Sequence, residues 1–423
     1  MRRQLLQLAC RHLLRHKGNR SCTPNVVLWQ HRLCSFTRTS DHENMHVKTT
    51  QAGKTAGKIN IQQTYLEVSH VSWPRSIKLN YVWLRDHCRC NTCYNHTTHQ
   101  RNLDILDIPL NIQPKRSSIQ GEELLTLWPD GHESAYSLDW LWRNSHEVFV
   151  NSQIRDVKLW DGYCVEGNIA KVDVYQYMNT EKGVYDVVKS LVEFGVGIVI
   201  NVPTTVEATE EVVQQISHVQ HTLFGGMWQF SNKLEHYDTA YTQQALGAHN
   251  DNTYFTEAAG LQVFHCVQHD GDGGETLLVD GFRAADDLKR THPQSFHRLS
   301  TIPLEAEYLE PRRNYYNVDT MLKLHPITKQ MEQIRFNLLD RATLRTVPAE
   351  EIPQLYEDIC LLATKVKDPA GEWWFKLQPG TVLLIDNWRV LHGRGAYTGF
   401  RKMTGCYVGR ADYMSKARVL GLV

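Results

Sequence analysis

The triplet His249-Asn250-Asp251 and the distant His392 constrain this chain more than any other feature. Two imidazoles and one carboxylate form a three-ligand face for Fe(II), with the opposite face open to a cosubstrate and oxygen. His249 and Asp251 stand two positions apart, and side chains so spaced on an extended strand point to the same side. His392 follows about 140 residues later, so only a fold that returns the chain to the same place closes the site. The pattern points to a metal-dependent oxygenase.

At 423 residues the chain exceeds a single average core, and two domains are expected. Hydrophobic residues make up 42% and charged residues 22%, an ordinary globular balance. The formal net charge is zero, which implies no large basic surface and hence no nucleic-acid partner. No apolar run reaches the roughly 18 residues of a membrane span. The richest stretch, Val187 to Val202, contains Lys189 and Glu193 and reads as a helix end followed by the buried strand Gly197-Ile198-Val199-Ile200. The chain reads as a soluble protein.

That neutrality conceals an asymmetry. Residues 1–40 hold eight Lys or Arg and no acid, which leaves 38 basic against 46 acidic residues in the remainder. Leu5, Leu6, Leu8, Leu13 and Leu14 interleave with Arg2, Arg3, Arg11 and Arg15, as in a basic amphipathic helix. An Arg-rich, Ser-containing, acid-free start is the pattern of a mitochondrial transit peptide, and it predicts a location in the matrix. Residues 41–57 are polar and read as a linker.

From 58 to 150 the text reads as a small β domain. Strands are expected at Val68–Trp73 and Leu79–Leu84, and Leu124–Trp128 leads through the turn Pro129-Asp130-Gly131 into a return strand. Helices are expected over Gly183–Glu193, Thr209–Thr222, Phe282–Leu288 and Ile352–Thr364. From Ala240 onward strand signals dominate. Over 165–423 a mainly β fold with helices, a double-stranded β-helix (jelly roll), would carry two His ligands on separated strands.

The ten cysteines form no evident disulfide framework. Cys164, Cys266, Cys360 and Cys406 are isolated and read as buried free thiols. Cys88, Cys90 and Cys93 form C-x-C-x-x-C, and His132 in the turn supplies a fourth donor. Three thiolates and an imidazole suit a closed, structural Zn²⁺ site that clamps two loops of the small domain.

An HxD pair alone is a weak signal, and its flanks strengthen it. Asp251 is followed by Asn252-Thr253-Tyr254-Phe255 and the apolar strand Leu261-Gln262-Val263-Phe264, and Gly273-Gly274-Glu275-Thr276 enters a further strand. His392 follows the strand Thr381–Ile385, and Arg401 lies nine residues beyond it. A guanidinium there matches a dicarboxylate cosubstrate bidentately.

From about 58 to 423 the chain resembles the γ-butyrobetaine and trimethyllysine dioxygenases, members of the Fe(II)/2-oxoglutarate oxygenases. The likeness rests on Trp83-Leu84-Arg85-Asp86-His87-Cys88, Trp128-Pro129-Asp130-Gly131-His132 and Asp238-Thr239-Ala240-Tyr241-Thr242. It also rests on Asp386-Asn387-Trp388-Arg389-Val390-Leu391-His392-Gly393-Arg394 and the ending Ala417–Leu422. The resemblance implies that His249, Asp251 and His392 bind iron, that Arg401 pairs with the distal carboxylate of 2-oxoglutarate, and that Thr276 donates a hydroxyl to it. Arg394 would either serve the cosubstrate or brace the loop. The resemblance further implies ascorbate as reductant and a homodimer.

Substrates of this family carry a trimethylammonium group, which donates no hydrogen bond and needs aromatic faces. The resemblance places Trp228, Tyr241 and Tyr407 around it, with Phe224 where relatives generally have tyrosine. Asp238 would attract the α-amino group of trimethyllysine and repel the carboxylate of γ-butyrobetaine, and Asn337 would contact the amino-acid end. The zinc cluster resembles that of the butyrobetaine relatives. These expectations favour hydroxylation of N6-trimethyllysine by O₂ at C3, the first step of carnitine biosynthesis. Hydroxylation of γ-butyrobetaine stands second, and a non-catalytic trimethylammonium-binding scaffold third.

Overall fold

The computed structural model describes residues 56–231 and 242–423. The expected transit peptide, residues 41–55 of the expected linker, and Asp238 and Tyr241 lie outside the described residues. Gly57, placed in the linker by its sequence, already belongs to the strand Gly57–Ile61.

Burial alternates along the strands so that successive residues serve different cores. In Val382–Asp386, Val382 and Leu384 pack outward against helices, whereas Leu383 and Ile385 pack inward with Leu278, Val390 and Met403. In Thr276–Asp280, Leu277 and Val279 face outward and Leu278 faces inward. Both faces are covered, so these strands read as continuous apolar runs rather than as alternating ones.

The inward faces belong to two sheets. The larger has the order Trp228–Phe230, Phe400–Val408, Leu261–Asp270, Val382–Asp386, Val196–Ile200, Ala170–Asp173. The smaller has the order Leu246–His249, Val390–Arg394, Thr276–Asp280, Glu372–Phe375. All neighbours are antiparallel except the outermost pair, Ala170–Asp173 with Val196–Ile200. Helices Glu181–Phe194, Val206–Gln214 and Arg410–Val419 cover the larger sheet, and Gly281–Thr291, Pro293–Leu299 and Ile352–Val366 cover the smaller. This is the expected jelly roll.

The region before residue 150 has its own core. Two three-stranded antiparallel sheets, Gly57–Ile61/Tyr65–His70/Ile77–Asn80 and Arg116–Gln120/Glu123–Leu127/Glu133–Ser137, enclose Leu66, Val68, Leu79, Leu124, Trp128 and Tyr136. Trp128 Nε1 donates to Ser134 Oγ at 2.9 Å and the Tyr136 hydroxyl to Leu84 O at 2.5 Å, so both buried polar tips are satisfied. Thr55–Val423 nonetheless forms one compact unit.

Three local expectations are corrected. Tyr81–Asp86 is a helix rather than the end of a strand, because the Asn80 side chain accepts from Val82 N at 2.9 Å and caps it. The helix expected to reach Thr222 ends at Gln214, and beyond it Gln220 N donates to Tyr407 O at 2.8 Å, which draws the chain onto the larger sheet. Cys164 and Cys360 are exposed, not buried. Cys360 occupies the outer side of a helix whose inner side is Leu355, Ile359, Leu362 and Val366.

One buried ion pair locks the strand that carries His392. Arg389 Nε and Nη2 donate to the two Asp280 oxygens at 3.0 and 2.8 Å, with side-chain exposures of 2% and 0%. Arg389 also donates to the carbonyls of Glu193 and Lys158, and Asp280 caps the helix that begins at Gly281 through Phe282 N. Asp280→Ala leaves that guanidinium buried without its carboxylate and is expected to cost about 3–5 kcal/mol. Urea unfolding checks this, and a loss under about 1 kcal/mol contradicts it.

Candidate metal centre and its cavity

Antiparallel register sets the two imidazoles side by side. His249 ends its strand directly opposite His392, and the ring centroids are 4.5 Å apart. A Cβ on Gly393 would lie 2.6 Å from Leu246 O, so a glycine beside His392 lets the strands approach. Val390, His392 and Arg394 share one face, as period-two alternation requires.

Asp251 lies past the strand end, and asparagines hold its backbone. Asn387 Oδ1 accepts from Asp251 N at 3.0 Å, while Asn387 Nδ2 donates to Asp251 O at 3.0 Å and Ala259 O at 3.1 Å. Asn250 Nδ2 donates to Asn387 O at 2.6 Å, and Asn250 Oδ1 accepts from Phe336 N at 3.1 Å. The side chains of Asn250 and Asn387 are almost wholly buried.

Asp251 Oδ1 lies 3.5 Å from His249 Nε2 and 3.6 Å from His392 Nε2. Donors bound to one ion at about 2.1 Å are separated by about 3.0–3.4 Å, so the spacing fits a shared metal. His249 Nδ1–H donates to Gly247 O at 2.8 Å, which turns the Nε2 lone pair toward the carboxylate. A single shared proton cannot serve both imidazoles; a cation can. Asp251 Oδ2 accepts from the Tyr407 hydroxyl at 2.8 Å.

The electrostatics agree with a cation-binding face. Burial would raise the Asp251 carboxyl, but His392 and His249 hold it down at about 2. Burial would lower His249, yet its hydrogen bond and Coulomb attraction to Asp251 push it up. Burial pushes His392 down to about 4, so it is a neutral lone-pair donor near neutral pH.

These three donors open onto a cavity of about 310 Å³. Arg401 and Tyr407 point into it from one face of Phe400–Val408, and Thr276, Arg394, Trp228, Phe224 and Asn337 also line it. Burial, then the nearby Arg394, push Arg401 down to about 10, and no carboxylate acts on it among the described residues. A buried guanidinium so placed fits an anionic ligand. Arg394 Nη2 instead donates to Thr242 O and Gln244 O at 2.7 and 2.8 Å, which braces the segment before the His249 strand.

The aromatic wall is wider than the sequence suggested. The Trp228 ring lies 6.0 Å from Tyr407 and 5.5 Å from Phe230, and a Cβ on Gly405 would strike the indole at 2.2 Å. Phe224 meets Tyr308 edge-on at 6.0 Å, and Tyr308 stacks on Tyr254 at 5.0 Å. Sequence reasoning missed Tyr254, Phe264 and Tyr308 in this wall, and nothing in their local spacing distinguishes them from core aromatics. It also missed Asn387, which stands inside the Asp386–Arg394 motif, and the contact of Tyr407 with Asp251.

A second donor cluster lies in the N-terminal region. Cys88, Cys90, Cys93 and His132 present donor atoms within 4.8 Å of one another. His132 Nε2 is 3.3, 3.7 and 3.6 Å from the three sulfurs, close to the about 3.6 Å of a tetrahedral N–Zn–S edge. Arg85 Nη1 donates to Cys93 Sγ at 3.2 Å, which offsets thiolate charge.

Fold and site together define an Fe(II)/2-oxoglutarate oxygenase class. The family "Taurine catabolism dioxygenase TauD, TfdA family" matches residues 158–407, and "Gamma-butyrobetaine hydroxylase-like, N-terminal" matches residues 57–142. Trimethyllysine dioxygenase, mitochondrial, of Rattus norvegicus is 38% identical over 416 residues, covering 97% of this chain and 94% of the relative. The Homo sapiens protein of that name is 42% identical over 351 residues, covering 82% of this chain and 83% of the relative. Gamma-butyrobetaine dioxygenase of Homo sapiens is 25% identical over 351 residues, covering 80% of this chain and 90% of the relative. The chain belongs to the TauD, TfdA family of dioxygenases, within its trimethyllysine dioxygenase group.

Because Asn387 fixes the Asp251 backbone, Asn387→Ala is expected to weaken Mn(II) binding by about 10–100-fold. Titration calorimetry with Mn(II) and 2-oxoglutarate measures it, and unchanged affinity in a folded variant contradicts the clamp.

Proposed function

We propose that this chain hydroxylates N6-trimethyllysine to 3-hydroxy-N6-trimethyllysine with Fe(II), 2-oxoglutarate and O₂, the first step of carnitine biosynthesis. The observation that carries the reading is the convergence of three metal donors, a buried Arg401 and an aromatic wall on one cavity. His249, Asp251 and His392 would hold the iron, and the Tyr407 hydroxyl would keep Asp251 oriented through its outer oxygen. Iron with 2-oxoglutarate supplies oxidation of a C–H bond by O₂, with succinate and CO₂ as the other products.

The remaining work belongs to the protein's own side chains. Arg401 would bind the distal carboxylate of 2-oxoglutarate, with the Thr276 hydroxyl beside it on the neighbouring sheet. Arg394 would hold the wall at Thr242 and Gln244 rather than contact the cosubstrate. Trp228, Tyr407 and Phe224, with Tyr241, would enclose the trimethylammonium group, which aromatic faces attract without a hydrogen bond. Asn337 and Asp238 would serve the amino-acid end. The apolar wall excludes water and strengthens each charge interaction.

Cys88, Cys90, Cys93 and His132 would hold a structural Zn²⁺ that ties the helix Tyr81–Asp86 to the turn before Glu133–Ser137. Ascorbate as reductant, a homodimer and a mitochondrial matrix location belong to the same reading. Support for the location comes from the relatives named mitochondrial and the acid-free basic residues 1–40.

Incubation of the purified chain with Fe(II), 2-oxoglutarate and each betaine, with succinate followed by NMR, tests the function. Trimethyllysine is expected to be turned over faster than γ-butyrobetaine, and Asp251→Ala to abolish turnover. Faster γ-butyrobetaine turnover, or an active Asp251→Ala, overturns it. Elemental analysis is expected to find about one zinc per chain, lost in Cys93→Ser together with a drop of several degrees in Tm. A zinc-free, equally stable wild type contradicts the structural site.

A further inference from the structure

A second cavity, of about 360 Å³, shares no lining residue with the metal cavity, and its size suits a small-molecule ligand. The segment after the helix His146–Ser152 forms one wall. Gln153, Arg155, Val157 and Leu159 line the cavity at every second position, the period of an extended chain. That segment is tied down along its length. Gln330 Oε1 accepts from Arg155 N at 3.2 Å, and Gln330 Nε2 donates to Arg155 O at 3.4 Å. Lys158 N donates to Glu193 O at 2.9 Å, and Lys158 O accepts from Arg389. Another wall is apolar: Phe282 and Phe296, from Gly281–Thr291 and Pro293–Leu299, belong to the core beneath the smaller sheet.

The lining carries Arg155, Lys289 and Lys329 against Asp286 and Glu332. Arg290 draws on Asp286, with its Nε 3.3 Å from that carboxylate, so the balance is basic. Lys289 and Lys329 are exposed, whereas Arg155 is half-buried. Burial, and then the like charge of Arg410, push Arg155 below the usual arginine range. Asp386 and Glu332 attract it through space, but Asp386 is bound by Arg410 Nη1 at 2.8 Å. No hydrogen bond or ion pair ends on the Arg155 guanidinium among the described residues; its bonds to Gln330 use its backbone alone. A planar fork of N–H donors, partly out of water, is matched by a carboxylate. Lys289 Nζ stands 5.5 Å from the Phe296 ring centre, so charge and apolar surface adjoin here too.

We propose that this cavity binds a small amphipathic anion, a carboxylate with an apolar tail, whose charged end meets Arg155 and whose tail lies against Phe282 and Phe296. The site is independent of the substrate cavity. Phe282 also carries the Arg389 guanidinium over its ring at 5.7 Å, which puts the ligand one side chain away from the Arg389–Asp280 pair.

Titration calorimetry of the full chain with octanoate tests the site, with octanamide and inorganic phosphate as comparison probes. Octanoate is expected to bind the wild type, and Arg155→Ala to weaken it at least about tenfold. Lys289→Glu, on an exposed helix position, keeps the test open if Arg155→Ala does not fold, and is expected to weaken octanoate about threefold or more. Arg401→Ala is expected to leave octanoate affinity within about twofold, because that guanidinium lines the other cavity. Octanamide, of the same shape without the charge, is expected to bind at least about tenfold more weakly. No octanoate binding at about 1 mM, or unchanged affinity in a folded Arg155→Ala or Lys289→Glu, overturns the proposal. So does a loss in Arg401→Ala, which would place octanoate in the metal cavity. Octanamide or phosphate binding as tightly as octanoate removes the charged or the apolar half of the assignment and overturns it equally.

Discussion

The antiparallel pairing of Leu246–His249 with Val390–Arg394 is the constraint on which the site depends. It places His249 opposite His392 and aligns Val390, His392 and Arg394 on the inner face. Thr276–Asp280, the next strand, adds Thr276 and Leu278 to that face, and Phe400–Val408 on the facing sheet contributes Arg401, Met403 and Tyr407. A slip of one residue in either sheet would turn these side chains outward and bring in neighbours such as Leu391, Leu277, Lys402 and Cys406, none of them able to rebuild the donor set. Sealed outer faces, where Leu277, Val279 and Leu391 pack under helices, make such a slip costly.

Within that frame the site balances buried charge by geometry. Asp251 draws on His249, His392 and the Tyr407 hydroxyl, whereas Arg401 meets the rings of Phe230 and Tyr397 and no acid among the described residues. A cation at the first and an anion near the second complete the arrangement, which is the charge pattern of a divalent metal with a dicarboxylate. The Arg389–Asp280 pair lies at the ends of the strands that carry His392 and Thr276 and is satisfied within the protein, so it contributes rigidity and no binding capacity.

The convergence of His249, Asp251 and His392 was legible because metal-ligating chemistry is confined to few residue types and their spacing implies strand geometry. The place of Arg401 in the cavity wall was legible from its distance to His392, and the clustering of Cys88, Cys90, Cys93 and His132 from compact spacing with a histidine in a following turn. Asn387 was not legible as a clamp, since its function is a pair of hydrogen bonds to the backbone of a residue 136 positions away. Tyr407 was read as an aromatic face alone, although its hydroxyl contacts Asp251. The short helix at Tyr81 and the early end at Gln214 escaped apolar periodicity because a capping side chain and a cross-sheet hydrogen bond decided them. Asp238 and Tyr241 lie outside the described residues.

The most direct measurement is anaerobic absorbance of the full chain on addition of Fe(II) and then 2-oxoglutarate. A 2-oxo acid chelated to protein-bound Fe(II) gives a visible metal-to-ligand charge-transfer band. The account predicts this band in the wild type, its loss in His392→Ala, and a need for more 2-oxoglutarate in Arg401→Ala. Absence of the band in the wild type, or a band that survives unchanged without His392, would contradict the shared metal face.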